Sequence, residues 1–246
     1  MKRRLVLAGL TTSAVATTAA GLAGLTFRWH STPQQGQFLT DTHLQHLTTT
    51  PLPGPRVLFV GNSMTLRHDL VGQIARLAEA DGVQASFAQA AANGGRLIET
   101  SRITEFQDML ARGWDVLVLQ DFSTVSLRAP DRWGSEYAMR KMARAARARS
   151  VLLYPTWAFP PKHHVYRSGG GRFSDVPANP AEFTASIVAH YQGIADQHGW
   201  VRAPITEAMA SGSAKWLESD QHHPNAAGSA HIAQALWQSL APLLEN

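Results

Sequence analysis

The sequence predicts an α/β fold built on a parallel sheet of about five strands. From Arg56 onward, short apolar runs alternate with longer segments of helical period. The central run, Asp115-Val-Leu-Val-Leu119, is nearly all apolar, as in a strand covered on both faces. Strands that alternate with helices are joined by parallel crossovers, which place helices on both faces of the sheet.

The elements follow in order. Residues 1–30 read as an export signal or an N-terminal membrane anchor. Lys2-Arg3-Arg4 precedes an uncharged run from Leu5 to Phe27. The paired arginines resemble a twin-arginine signal, with the ordinary secretory route as the alternative. Ala14-Val15-Ala16, Thr18-Ala19-Ala20 and Gly21-Leu22-Ala23 are alternative cleavage points. Uncut, residues 5–27 are long enough to anchor the chain in a bilayer. Either outcome places the body outside the cytoplasm, periplasmic or secreted. Residues 31–55, rich in Thr, Pro, Gln and Gly, read as a linker with one short helix about Asp41–Leu47. That helix would carry His43 and His46, read as side chains facing solvent and not as a metal site.

The catalytic body is expected over 56–246. Arg56–Val60 reads as the first strand. Asp69–Asp81 reads as a helix with Leu70, Ile74, Leu77 and Ala78 on one face. Val83–Ala88 is the second strand, Leu97–Arg112 mostly helix, and Trp114–Leu119 the third strand. Asp131–Ser150 is helical and Val151–Tyr154 is the fourth strand. Residues 155–180 carry many Pro and Gly and form a long loop. Pro180–His198 is a helix, Trp200–Ala203 a weak fifth strand, and Asn225–Leu240 the last helix.

Composition excludes several functions. The chain has no cysteine, which removes disulfides, thiolate metal sites and a cysteine nucleophile. Its formal net charge of +4 hints at nucleic acid. However, Lys2, Arg3, Arg4 and Arg28 stand in the first thirty residues with no acid among them; the rest holds 18 basic and 18 acidic residues. The body is therefore neutral, and no nucleic-acid partner is expected.

In parallel sheets, ligands sit beyond the C-terminal ends of the strands. The candidate chemistry falls there. Gly61-Asn62-Ser63 follows the first strand, Asn93-Gly94-Gly95 the second, and Gln120-Asp121 the third. Ser219-Asp220-Gln221-His222-His223-Pro224 precedes the last helix. A serine at a sharp strand-to-helix turn presents its hydroxyl outward, though Asn and Ser also serve as plain helix caps. A serine nucleophile needs a base, and the base needs a partner that fixes its tautomer. Asp220 and His223, three apart, supply both on one loop.

Gly61-Asn62-Ser63 near the start and Asp220-x-x-His223-Pro224 near the end resemble the SGNH/GDSL hydrolase superfamily, over about residues 56–242. Asn93-Gly94-Gly95 and Leu119-Gln120-Asp121 stand between them in the right order. The resemblance implies a flavodoxin-like three-layer α/β/α sandwich. It also implies Ser63 as nucleophile, His223 as general base and then acid, and Asp220 as its orienting carboxylate; His222 is the competing base. The oxyanion hole would use the N–H of Ser63 and of Gly95, with Gly94 the alternative. The family's Gly-x-Asn-Asp motif is absent, and Gln120 stands near its place as a candidate third donor. Asn62 replaces the family's usual Asp and is expected to brace the turn.

Other residues invite a role. Trp157 and Phe159 lie just after the fourth strand at the predicted active edge, and Trp157 is a candidate substrate-binding residue. His163, His164, Tyr166 and Arg167 lie in the long loop. Arg140, Arg144 and Arg147 share a helix face, which reads as a solvated face or as a surface for an anionic polymer or lipid. The expected function is hydrolysis of a carboxylic ester through an acyl-enzyme, with no metal or cofactor. The substrate is expected to be an O-acetylated carbohydrate. Acyl transfer, a lipid or short-chain esterase, and a non-catalytic glycan-binding module are the alternatives.

Overall fold

The structure, a computed structural model, describes residues 44–46, 53–166, 176–210 and 213–245. The expected export segment 1–30 lies outside the described residues, as do Arg167 and most of the expected linker. Among the described residues no helix is long and apolar enough to cross a membrane.

Six strands form one sheet: β1 (Leu44–His46), β2 (Arg56–Gly61), β3 (Ser86–Ala91), β4 (Val116–Leu119), β5 (Ser150–Leu153) and β6 (Val201–Arg202), in the order β1-β3-β2-β4-β5-β6. The five strands from β2 to β6 are parallel. The strand β1 is an antiparallel edge strand, with Leu44 opposite Ala90. This corrects the helix expected over Asp41–Leu47, and it draws three residues of the expected linker into the sheet. A helix of about two turns gains too few hydrogen bonds to repay its nucleation, whereas the outer edge of β3 offers a row of unpaired backbone groups.

The β2 connection to β3 runs one way along the sheet, and the next connection crosses back over β2 to β4. The order reverses between β2 and β4, so a crevice opens beyond their C-terminal ends. Ser63 follows β2 and Gln120 follows β4.

Alternation along the strands feeds two cores. Leu58, Val60, Leu117, Leu119 and Leu153 point to one face. There they pack on α4 (Thr104–Ala111), α5 (Ala129–Ala146) and α6 (Pro180–His198), through Phe106, Met142, Phe183 and Tyr191. Val57, Phe59, Val116, Val118 and Leu152 point to the other. They meet α2 (Leu70–Ala80), α7 (Ile205–Ala210) and α9 (Ala226–Leu244), through Leu70, Ile74, Ile205, Ile232 and Leu236. This is the three-layer sandwich.

The segment expected as one helix over Leu97–Arg112 is two, α3 (Leu97–Thr100) and α4, parted by a turn at Ser101–Ile103. Ser101 is buried, and its hydroxyl donates to the Ile98 carbonyl, which favours the turn over a continuous helix.

Candidate active site

Gly61 ends β2 and Ser63 opens α1 (Ser63–Leu66). Asn62 is the cap between them: its Oδ1 accepts from the Met64 N–H at 3.1 Å, and its carbonyl accepts from Thr65 and Leu66 N–H. Its Nδ2 donates to the Gly95 carbonyl at 3.2 Å, tying the first turn to the second. Gly61 has no room for a side chain, because a Cβ there would stand 2.2 Å from Thr65 Oγ1 and 2.6 Å from Gln120 Oε1. Ser63, the first helical residue, has an N–H with no carbonyl inside its own helix to bond.

The base arrives from the other end of the domain. His223 Nε2 lies 2.9 Å from Ser63 Oγ. His223 Nδ1 lies 2.7 Å from Asp220 Oδ2. Asp220 Oδ1 also accepts from the N–H groups of His222 and His223, at 2.9 and 3.0 Å. Burial pushes the Asp220 carboxyl up. The bonds from the His223 ring and from both N–H groups outweigh it and hold the carboxyl well below its ordinary range. These bonds favour the ionised carboxylate. It favours the tautomer in which His223 carries its proton on Nδ1 and offers Nε2 to the serine.

The His223 loop is pinned at both sides. Glu218 pairs with Arg67, which follows α1, and with His68 Nε2 at 3.1 Å. Asn225 caps α9 through the Gly228 N–H at 2.9 Å, and its Nδ2 holds the carbonyls of Lys215 and Leu217. Gly228 lets this happen: a Cβ there would stand 2.0 Å from the Trp216 carbonyl oxygen. Gly228→Ala is expected to push the loop off α9, costing about 1–3 kcal/mol of stability. Activity on a soluble ester should fall on the order of 100-fold, because displacements near 1 Å at a reacting pair have that effect. Urea denaturation and steady-state rates on the same preparation check both parts.

Around Ser63 Oγ lies an open cleft of about 300 Å³, lined by Asn62, Met64, Arg67, Asn93, Gly94, Phe122, Ser123, His222 and His223. Four expected site residues are absent from this lining: Asp220, which stands behind His223, and Gln120, Gly95 and Trp157. Gln120 is buried, and its Oε1 accepts from the Asn62 N–H at 2.8 Å and from Thr65 Oγ1 at 3.1 Å. Its Nε2 donates to the Asp121 carbonyl. Its oxygen braces the serine turn, one hydrogen of its nitrogen goes to Asp121, and the side chain does not line the cleft as an oxyanion donor would. The Gly95 N–H donates to the Ala92 carbonyl at 2.9 Å, closing its own turn. Gly94, with φ of +69°, and Asn93 face the cleft in its place. Trp157 packs in the core on the α2 and α9 face of the sheet, not in the cleft.

His222 is not bonded to the serine; it forms part of the wall. Its ring lies 4.9 Å from Phe159, which stacks at 4.0 Å on His163. Burial first, and the charge of His223 second, push the His222 imidazole down to about 4, against the pull of Asp220. The folded chain thus favours neutral His222. Its contribution is complete above the ordinary imidazole value of 6.5 and is lost as pH falls toward about 4. His222→Gln is therefore expected to flatten the loss of stability between those values by about 1–2 kcal/mol, discounted for partial exposure. The difference between wild-type and variant urea midpoints, followed from pH 7 to 4, measures it.

Arg67, Phe122 and Ser123 were not anticipated as cleft residues. Two of them had a signal: Phe122 and Ser123 directly follow Gln120-Asp121 at the end of a central strand. Among the described residues no cluster of three His, Cys, Asp or Glu side chains is placed to hold a metal ion.

No protein-family model matches the chain, and no curated protein matches it in sequence. Solved structures do. A Slackia heliotrinireducens protein assigned to the SGNH hydrolases aligns at 22% identity and TM-score 0.64, covering 76% of this chain and 99% of that one. The psychrotrophic esterase EstA from Pseudoalteromonas sp. aligns at 14% identity and TM-score 0.57, covering 78% and 100%. A Clostridium thermocellum family 3 carbohydrate esterase aligns at 13% identity and TM-score 0.56, covering 78% and 97%. The chain has the fold of the SGNH/GDSL hydrolase superfamily.

Proposed function

We propose that the protein is a serine hydrolase that cleaves short-chain carboxylic esters, with an O-acetylated carbohydrate as its substrate class. The observation that carries the reading is the unbroken chain from Ser63 Oγ through His223 to Asp220 at the mouth of a cleft. Ser63 Oγ attacks the acyl carbonyl while His223 Nε2 takes its proton. The Ser63 N–H, the Gly94 N–H and the Asn93 side chain receive the developing oxyanion. The tetrahedral intermediate collapses, the alcohol leaves with the proton from His223, and Ser63 holds the acyl group. Water, deprotonated by the same imidazole, then releases the acid.

Two features favour a small acyl group. The cleft, at about 300 Å³, stands at the small end of ligand sites. Met64 and Phe122 give it apolar wall next to the polar oxyanion side. The likeness to a carbohydrate esterase and the export-type pattern of residues 1–30 support a sugar ester met outside the cytoplasm. The test is a panel of acetylated xylose, acetylated hexosamine and acyl lipids, run with fluorophosphonate labelling. Labelling at Ser63 with preferential release of acetate from the sugars is expected. A protein that neither takes the label nor cleaves any ester would sink the hydrolase reading. Cleavage confined to lipids, or acetate passed to an added glycan, would replace the substrate or the acceptor alone.

A further inference from the structure

The two most exposed large apolar side chains among the described residues are Trp133 and Tyr137, 77% and 58% exposed. They sit one turn apart on α5. Arg140 and Arg144, also exposed, continue the same line. At 3.6 residues per turn these four side chains fall within about 60° of the helix circumference and span about 16 Å along it. Sequence alone groups Arg140, Arg144 and Arg147, but the structure redraws the basic face of this helix. Lys141 turns inward and donates to the Ser101 carbonyl at 2.9 Å. Arg147 leaves the helix in a left-handed conformation, with φ of 53°.

Among the described residues, the two acids of α5 are mainly engaged elsewhere. Glu136 is drawn to His198 at 3.1 Å and only loosely to Arg140 at 3.8 Å. Asp131 is buried against Arg96 at 2.8 Å. What remains is a convex ridge, aromatic at one end and cationic at the other.

The chemistry of that ridge selects its partner. A convex helix face offers no concavity for a small molecule. Beside the aromatics, the Glu136 carboxylate and the Gln197 amide are bonded to each other, and Glu136 also to His198, instead of being presented to sugar hydroxyls. Trp and Tyr favour the headgroup zone of a bilayer, where an apolar body and a polar tip are both accommodated, and arginines beside them meet lipid phosphates. We propose that α5 docks the protein on an anionic phospholipid surface through Trp133, Tyr137, Arg140 and Arg144. Because α5 follows β4, its first turn lies at the strand ends that carry the cleft. Docking therefore sets the cleft near the surface, and it is independent of the N-terminal segment.

The chain has no cysteine, so a single introduced thiol takes a label uniquely. Full-length Tyr137→Cys carrying an environment-sensitive fluorophore is titrated with vesicles of phosphatidylcholine, with and without phosphatidylglycerol. The same label at Glu79→Cys, on α2 across the sheet, is the control. The expected result is a response at position 137 only, with anionic vesicles only, weakened by salt. In an Arg140→Gln/Arg144→Gln background the half-saturating lipid concentration should rise roughly 30-fold, each cation near the surface being worth about a factor of five. Thermal midpoints verify that the variants fold. A label at 137 that ignores anionic vesicles overturns the proposal, as does an equal response to neutral ones. So does a response to protein concentration alone, which would mark a contact between copies of the chain.

Discussion

Replacing Ser63 by alanine is expected to lower kcat/KM on an activated acetate ester by about 10⁴- to 10⁶-fold, with little change in thermal midpoint. The rate should fall because the hydroxyl bonded to His223 Nε2 at 2.9 Å is lost, and the residual rate comes only from binding and the oxyanion donors. The fold should hold because the turn is braced by its neighbours. The cap belongs to Asn62, and the cross-sheet support belongs to Gln120 and Thr65. A Ser63→Ala protein that keeps near wild-type turnover would remove the nucleophile from this position.

Asp220→Asn is expected to lower kcat by about 10³- to 10⁴-fold with a small change in KM. The amide can still accept from the N–H groups of His222 and His223 through its oxygen, so the loop geometry survives. Its nitrogen, however, would face His223 Nδ1 at the place where Oδ2 now sits, 2.7 Å away. A donor there favours the imidazole tautomer with its proton on Nε2, which cannot take a proton from Ser63. Asp220→Glu restores the acceptor but lengthens the arm, and partial recovery of kcat is expected. The ratio of the two variants separates tautomer control from mere displacement of the loop.

Much of the fold was legible. The helix Pro180–His198 lies where the sequence set it, because Asn179 caps it, Pro180 starts it and Gly199 ends it in a left-handed conformation. The strand β3 was misplaced by three residues. Its sequence Ser-Phe-Ala-Gln-Ala-Ala is buried throughout yet weakly hydrophobic, so Val83 ahead of it dominated the pattern. The edge strand β1 was hidden because its partner, the outer side of β3, is a tertiary feature. At the site, the end motifs carried the positions of Ser63, Asp220 and His223. The oxyanion side did not follow from sequence, because a donor counts only if nothing else holds it. The Ala92 carbonyl holds the Gly95 N–H, and Gln120 is buried away from the cleft with its oxygen on the serine turn. Trp157 was misread for a related reason: the side of the sheet to which it turns, as the chain leaves the strand, is set by packing.

The bond between Ser63 and His223 joins residues 160 apart in sequence, and Arg67 with Glu218 spans 151. Such closures come at the expensive end of chain entropy and form only after the intervening sheet exists. Competence is thus a property of the completed topology, and no partial domain carries it. During refolding from urea, ester turnover should return later than far-ultraviolet helicity. Simultaneous return of the two signals would show that the two chain ends meet before the central strands are laid down.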